Sequence, residues 1–309
     1  MSPHPPFRRQ CGVAVVLAMS VVALAAMAAT ALLGTQSLWA RHAELAADRT
    51  QALLVVQAGL DWSRAVLSDD HRTSNVDHLG EPWALRLPPL PLENGSLAGH
   101  LEDQNGRFNL NNLLRDGKVN PAQLAHYRRL LDLLGLPATL AEPLVDWLDA
   151  DGETYGRDGA EDAAYLATTP ASLAGNRPLT DPDELALVRG YDETVRARLL
   201  PHVTALPGFA PVNVNTASPE VLAAVVDGLS LSAARAVVAQ RDRAHARDRA
   251  EFRRWLPAGA EARDEDITVT SNYFMARVRV VIGNAEASGA ALLARRSAGW
   301  PAILWRKSS

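Results

Sequence analysis

Residues 266–283 read DITVTSNYFMARVRVVIG. The run is rich in β-branched side chains, which suit a pleated, half-buried surface. Two more strand-like segments follow, GAALLARRSAG (289–299) and WPAILWRK (300–307). The nearest upstream segment of this kind is GSLAGHLEDQNGRFNLN (95–111), behind a proline-rich loop, RLPPLPLENG (86–95). There Glu93-Asn94-Gly95 and Gln104-Asn105-Gly106 are hairpin-type turn signals. Between Asn111 and Asp266 helical patterns replace strand patterns. An antiparallel sheet interrupted in this way must close around inserted helices. The expected class is α+β. A helical lobe is expected over 105–206, a second helical unit over 211–256, and closing strands over 265–309.

The N-terminus adds a membrane segment. MSPHPPFRRQCG (1–12) places Arg8 and Arg9 before VAVVLAMSVVALAAMAATALLG (13–34), and no charged residue occurs from Val13 to Gln36. At about 1.5 Å per residue, a helix over 13–36 crosses a hydrocarbon core of about 30 Å. The preceding arginines predict a cytoplasmic N-terminus. The helical pattern continues without proline through Asp70, with Leu45, Leu53, Val56, Leu60 and Leu67 at helical spacing. One helix is therefore expected from about Val13 to Leu67. Residues 37–104 then hold its amphipathic continuation and the first strands.

Composition sets outer limits. The chain has 309 residues, 48% hydrophobic and 21% charged, with a formal charge of −4. That suits folded cores and argues against a dedicated nucleic-acid binder. Cys11 is the single cysteine, so no internal disulfide forms. The eight histidines show no H-E-x-x-H spacing, and neither a P-loop nor a Rossmann glycine fingerprint occurs. No catalytic residue is assigned.

Asp146–Asp162, DWLDADGETYGRDGAED, carries seven acidic side chains against Arg157 alone. Asp149, Asp151 and Glu153 alternate in a glycine-containing turn, and Glu161 and Asp162 return after Gly156 and Gly159. A curled loop could point these oxygens inward, and oxygen-only ligands favour calcium or magnesium. An EF-hand is off register: counting from Asp149, the sixth residue is Thr154 and the twelfth Ala160. Asp146 sits one turn earlier, placed to face the site or its outer contacts. A solvated acidic loop remains open. A two-carboxylate catalyst fits poorly, because these acids cluster in one loop.

PVNVNTASPEVL (211–222) raises a different option, since Asn213–Leu222 resembles the opening of helix–hairpin–helix modules. Ser218 suits an N-cap and Pro219 the first helical position. Helices are expected over about 219–226 and 232–241. The hairpin between them, DGLSLS (227–232), has Gly228 alone and Asp227 beside it, which weakens a phosphate nest. QRDRAHARDRAEFRR (240–254) interleaves arginines with Asp242, Asp248 and Glu251, the pattern of a solvated ion-paired face. A membrane-anchored, periplasmic DNA-binding protein is the alternative function.

Two resemblances tie these pieces together. Gly12, after the two arginines and before the apolar run, resembles the end of a type IV prepilin leader. That implies cutting by a prepilin peptidase between Gly12 and Val13. A secretory signal peptide cut near ATALLGTQS or LWARHA, or an uncut signal anchor, would use the same segment. The fifth residue after Gly12 is Leu17, where pilin-like subunits usually carry Glu. Leader, Leu17, DQNGRFNLNNL (103–113), the acidic run and PVNVNTASPEVL together resemble the K-type minor pseudopilin family of type II secretion systems. The resemblance implies a pseudopilin fold with a large helical insertion, in a single-pass inner-membrane protein with a periplasmic main domain. It also implies I-type and J-type minor pseudopilins and the major pseudopilin as partners, and calcium in the soluble domain. The implied role is at the tip of a pseudopilus that exports folded proteins, where a subunit lacking the Glu at Leu17 suits a relaxed assembly requirement.

Overall fold

The structure, a computed structural model, describes residues 11–86, 88–295 and 299–309. Most of the expected leader, residues 1–10, lies outside the described residues. Helix α1 runs from Cys11 to Thr73, 63 residues and about 95 Å, longer at both ends than the pattern suggested. Residues 12–34 are all exposed and carry no charge, and their apolar side chains include Val13, Leu17 and Leu24. It is the one helix among the described residues long and apolar enough to cross a membrane.

The second half of α1 packs on a five-stranded antiparallel sheet. The strands are β1 (Leu90–Leu92), β2 (Gly95–Asp103), β3 (Tyr273–Ile282), β4 (Ala285–Ala294) and β5 (Ala302–Ser308), in that spatial order. Glu93 and Asn94 form the tight turn between β1 and β2, where Leu92 pairs with Gly95. Along β3, Phe274, Ala276, Val278, Val280 and Ile282 face α1, the two-residue period of a half-buried strand. The facing stripe of α1 is Ala52, Val56, Leu60 and Leu67. Leu45 and Leu53, expected on this stripe, are instead 45% and 36% exposed. Small residues decide the contact: a Cβ at Gly59 would lie 2.9 Å from Val278 Cγ1, and Gly289 lies directly under Val56. Glycines on both partners, Gly59 on α1 and Gly289 on β4, thus let Val56, Leu60 and Leu67 close on the sheet.

Beyond Asp103, paired with Phe274, the chain leaves the sheet and returns at Tyr273. That end of the sheet is the one far from the apolar N-terminal half of α1. The β3–β4 turn reaches back to Asp48, where the Asn284 N–H donates to the carboxylate (3.4 Å). At the opposite end Arg295, just past β4, pairs with Asp70 in the last turns of α1 (2.8 Å). The inserted residues therefore hang from the membrane-distal end.

They hold α2 (Pro121–Leu133), α3 (Ala141–Leu148), α4 (Asp162–Leu166), α5 (Glu193–Leu199), α6 (Pro219–Val225), α7 (Leu231–Arg241) and α8 (Arg249–Trp255). Asn120, Ser218, Ser230 and Asp248 cap α2, α6, α7 and α8 by accepting backbone N–H groups, and Pro121 and Pro219 fill first positions. The two helical units expected as separate share one hydrophobic core, from Phe108 through Leu144 and Leu222 to Ile267. Two short parallel pairings, Phe108–Asn109 with Val203–Thr204 and Val212–Asn213 with Ile267–Thr268, stitch the lobe's seams. Ile267–Thr268 thus belongs to the lobe and not, as expected, to the closing strands.

Buried asparagines fix the junction. The Asn109 and Asn112 side-chain oxygens accept the N–H groups of Leu206 and Ala210 (2.9 and 3.0 Å). Asn111 donates to the carbonyls of Leu179 and Leu206 and accepts the Leu179 N–H, all at 2.9 Å. Asn213 donates to Ser271 and Asp103. Asn109, Asn111 and Asn112 satisfy irregular backbone that would otherwise be buried unpaired, and Asn213 ties side chains of the two parts together. Leu206, Ala210, Met275 and Leu292 then seal the lobe against the outer face of the sheet.

Candidate metal centre

The acidic loop is shaped by α3. Two carboxylates four residues apart share one helix face, and both accept backbone N–H groups from the loop that follows. Asp146, fully buried, takes Tyr155 N–H at 2.8 Å and Ala160 N–H at 2.6 Å. Glu142 takes Arg157 N–H at 3.0 Å and Asp158 N–H at 2.8 Å, with Arg128 at 3.2 Å. Gly156 crosses directly over Glu142 with φ +69, and a Cβ there would lie 2.6 Å from the Glu142 carboxyl carbon. Gly159 is pressed against Asp146 in the same way. Only glycine meets both demands. The loop is therefore folded back on α3, which brings Glu161 beside Asp149.

Asp149, Asp151 and Glu161 offer carboxylate oxygens that all lie within 4.8 Å of one another. Asp149 Oδ1 and Glu161 Oε1 are buried and have no hydrogen-bond partner. Burial first, then the neighbouring acids, push the Asp149 carboxyl up to about 6 and the Glu161 carboxyl up to about 7. Two orphaned buried oxygens converging with a third carboxylate are a costly arrangement alone. It is the arrangement a hard cation relieves. Calcium–oxygen bonds of about 2.3–2.6 Å allow two ligands on one ion to stand up to about 5 Å apart. The three carboxylates fit that limit.

The other two expected ligands go elsewhere. Glu153 is exposed, and its N–H donates to Asp151 (2.9 Å), so it shapes the turn through its backbone. Asp162 opens α4 and accepts the Ala174 N–H (2.9 Å), tying the loop to the next segment. Glu142, which lies under Gly156 and accepts the next two N–H groups, carried no signal in the acidic run because it lies upstream on the helix.

A second group, Asp70, Asp77 and Glu81, also brings oxygens within 4.8 Å. Each of its carboxylates finds hydrogen-bond donors within the protein. Arg295 donates to Asp70 (2.8 Å) and Asp77 (2.6 Å), Asp77 also accepts Ser271 N–H (2.7 Å), and Glu81 accepts Trp83 Nε1–H (2.8 Å). This is a buried ion network joining α1 to the sheet. Burial, with Glu81 nearby, still holds the Asp70 carboxyl up at about 6.

The helix–hairpin–helix surface is spent internally. Gly228 (φ +72) backs onto the Gly259 carbonyl, and Asp227 exchanges backbone bonds with Glu261. Asp227 also pairs with Arg129 (2.9 Å). Arg241 is buried and donates to the carbonyls of Val214 and Ala217; Arg249 and Arg253 pair with Asp264. The hairpin backbone and these arginines are paired within the lobe, so DNA binding finds no support here. At the N-terminal end, Gly12 has open space around it, and Val13 and Leu17 are each 61% exposed on α1.

A long N-terminal helix on an antiparallel sheet, with a helical lobe inserted between β2 and β3, defines a pseudopilin fold carrying a large insertion. Family models described as type II secretion system protein K match residues 106–208 and 212–270. Type II secretion system protein K of Pseudomonas aeruginosa is 37% identical, over 90% of this chain and 86% of its own length. The protein of the same name from Aeromonas hydrophila is 30% identical, over 92% of each. A chain in the crystal structure of the GspK–GspI–GspJ complex from enterotoxigenic Escherichia coli superposes with a TM-score of 0.75 at 29% identity, covering 84% of this chain and 96% of that one. The chain belongs to the type II secretion system protein K family, the large minor pseudopilins of that system.

Proposed function

We propose that this minor pseudopilin stands at the tip of the pseudopilus, where it helps to initiate or cap the filament. One observation carries the proposal: the whole lobe, residues 104–272, leaves and re-enters the sheet at its membrane-distal end. A subunit stacked above would need that end free, whereas subunits below meet only α1 and the sheet. Leu17 fits the same position, since a terminal subunit has no need of a buried carboxylate to meet a neighbour's amine. The E. coli structure pairs its K protein with I and J proteins. By likeness, I-type and J-type minor pseudopilins are the partners here, with the major pseudopilin beneath them. α1 anchors the chain in the inner membrane with its N-terminus cytoplasmic and the lobe periplasmic, after a prepilin peptidase cuts between Gly12 and Val13. The role is structural rather than enzymatic. Calcium held by Asp149, Asp151 and Glu161 orders the lobe, since binding to the folded state alone stabilises that state.

Co-purification tests the partners. The full chain in detergent, mixed with I-type and J-type pseudopilins of the same organism, is expected to elute as one ternary complex. Persistent elution of three separate species would refute the assignment.

A further inference from the structure

We propose that the stacked imidazoles of His78 and His245 form an acid-opened clasp between the end of the membrane-anchored helix and the lobe. The rings lie 3.7 Å apart between centroids and 9° from parallel. His78 sits in the loop just after α1, and His245 in the loop between α7 and α8. The contact therefore joins segments remote in sequence, one fixed to the anchor and one to the lobe.

Hydrogen bonds fix the chain beside each ring. His78 Nδ1 accepts the Gly80 N–H (3.1 Å), which leaves the proton of the neutral ring on Nε2. Beside it, Asp77 N–H donates to the Val269 carbonyl (2.9 Å). On the other side, Ala246 and Asn215 exchange reciprocal bonds of 2.9 Å. A cleft of about 390 Å³ adjoins the rings, lined also by Leu79, Asn215, Arg241 and Arg243. That cleft gives the rings room to part.

The charged groups facing the pair are already engaged, apart from Arg243. On the α1 side, Asp77 is taken by Arg295 and Ser271, and Glu81 by Trp83 and the His78 N–H. On the lobe side, Arg241 binds two carbonyls and Asp242, and Arg243 adds positive charge. One imidazolium over a neutral imidazole is tolerated; two positive rings at this spacing repel. Burial first, then His245, hold the His78 ring below its ordinary value, with Glu81 and Asp77 opposing. For a base so lowered, the closed stack is stable at neutral pH and loses stability as pH falls below the ordinary imidazole value of about 6.5.

The test is a histidine titration of the full chain in detergent, read by NMR with labelled imidazoles and assigned through His78→Asn and His245→Asn. In wild type, His78 is expected to titrate below its ordinary value, and in His245→Asn to move up. His245→Phe keeps a stacked ring without the second charge. Its melting temperature is expected to match wild type near pH 7.5 and to fall less by pH 5. A His78 titration indifferent to His245→Asn would overturn the clasp. So would the same acid loss in His245→Phe as in wild type.

Discussion

Glu161→Gln should change the sign of its effect with calcium. Glu161 is 9% exposed, and one of its oxygens faces Asp149 and Asp151 without a hydrogen-bond donor. Moving a carboxyl from 4.5 to about 7 amounts to about 3 kcal/mol at neutral pH before screening. Asp151 opens the site to water, so on the order of 1–2 kcal/mol should survive. An amide of the same shape removes that repulsion. With chelator present, the variant should therefore melt higher than wild type, by roughly 3–6 °C for a lobe of this size. With calcium at 100 times its dissociation constant, wild type gains about 2.7 kcal/mol and the variant, short of one carboxylate, gains far less. The order of melting temperatures reverses. The pH dependence follows the same sign: a raised carboxyl destabilises the fold as pH climbs from about 4.5 through about 7, so the chelated wild type should lose stability across that window more steeply than Glu161→Gln. Differential scanning calorimetry of the full chain in detergent, from pH 5 to 8 with and without calcium, reads all of this. A variant that melts lower than wild type in chelator, or that keeps the full calcium gain, would refute the reasoning.

Other perturbations address the frame around the site. Arg295→Met should cost about 3–5 kcal/mol, because it strands Asp70 and Asp77 without their cation. Circular dichroism melts should show the deficit shrinking at pH 5, where the Asp70 carboxyl, already up at about 6, takes a proton. Asn111→Ala breaks three bonds to Leu179 and Leu206 and should cost about 2–4 kcal/mol; faster hydrogen exchange at the Leu179 amide is the local readout. Replacing Gly12 by Trp should block cutting before Val13, which intact-mass measurement of the membrane fraction would show as retained leader; cutting instead within 29–40 would identify a secretory signal.

The split sheet was legible because β-branched runs are conspicuous and their absence across the insertion is equally plain. The length of α1 was legible for a similar reason, as no proline interrupts it. Its contact face was harder to read. Leu45 and Leu53 look like core residues in a helical pattern, but Gly59 and Gly289 let the backbones close on a neighbouring stripe. In the acidic run, alternation brought Asp149 and Asp151 to notice, and the return after Gly159 brought Glu161. Glu153 and Asp162 have the same chemistry in the sequence; a turn and a helix start send them elsewhere. Asn105 reads as a turn former, and the asparagines of 109–112 and 213–215 stand only within stretches that resemble known families. Their work as staples for distant backbone depends on tertiary partners that no local pattern contains. The histidine stack is invisible for the same reason, its members standing 167 positions apart.

The position of the lobe in the filament is the central claim. Leu173 on the lobe surface is 59% exposed, and Leu173→Cys in a Cys11→Ser background accepts a gold label. Electron microscopy of pseudopili assembled with the labelled chain should find gold at one end of each filament and nowhere along the shaft. Gold repeating along the shaft would contradict a tip position.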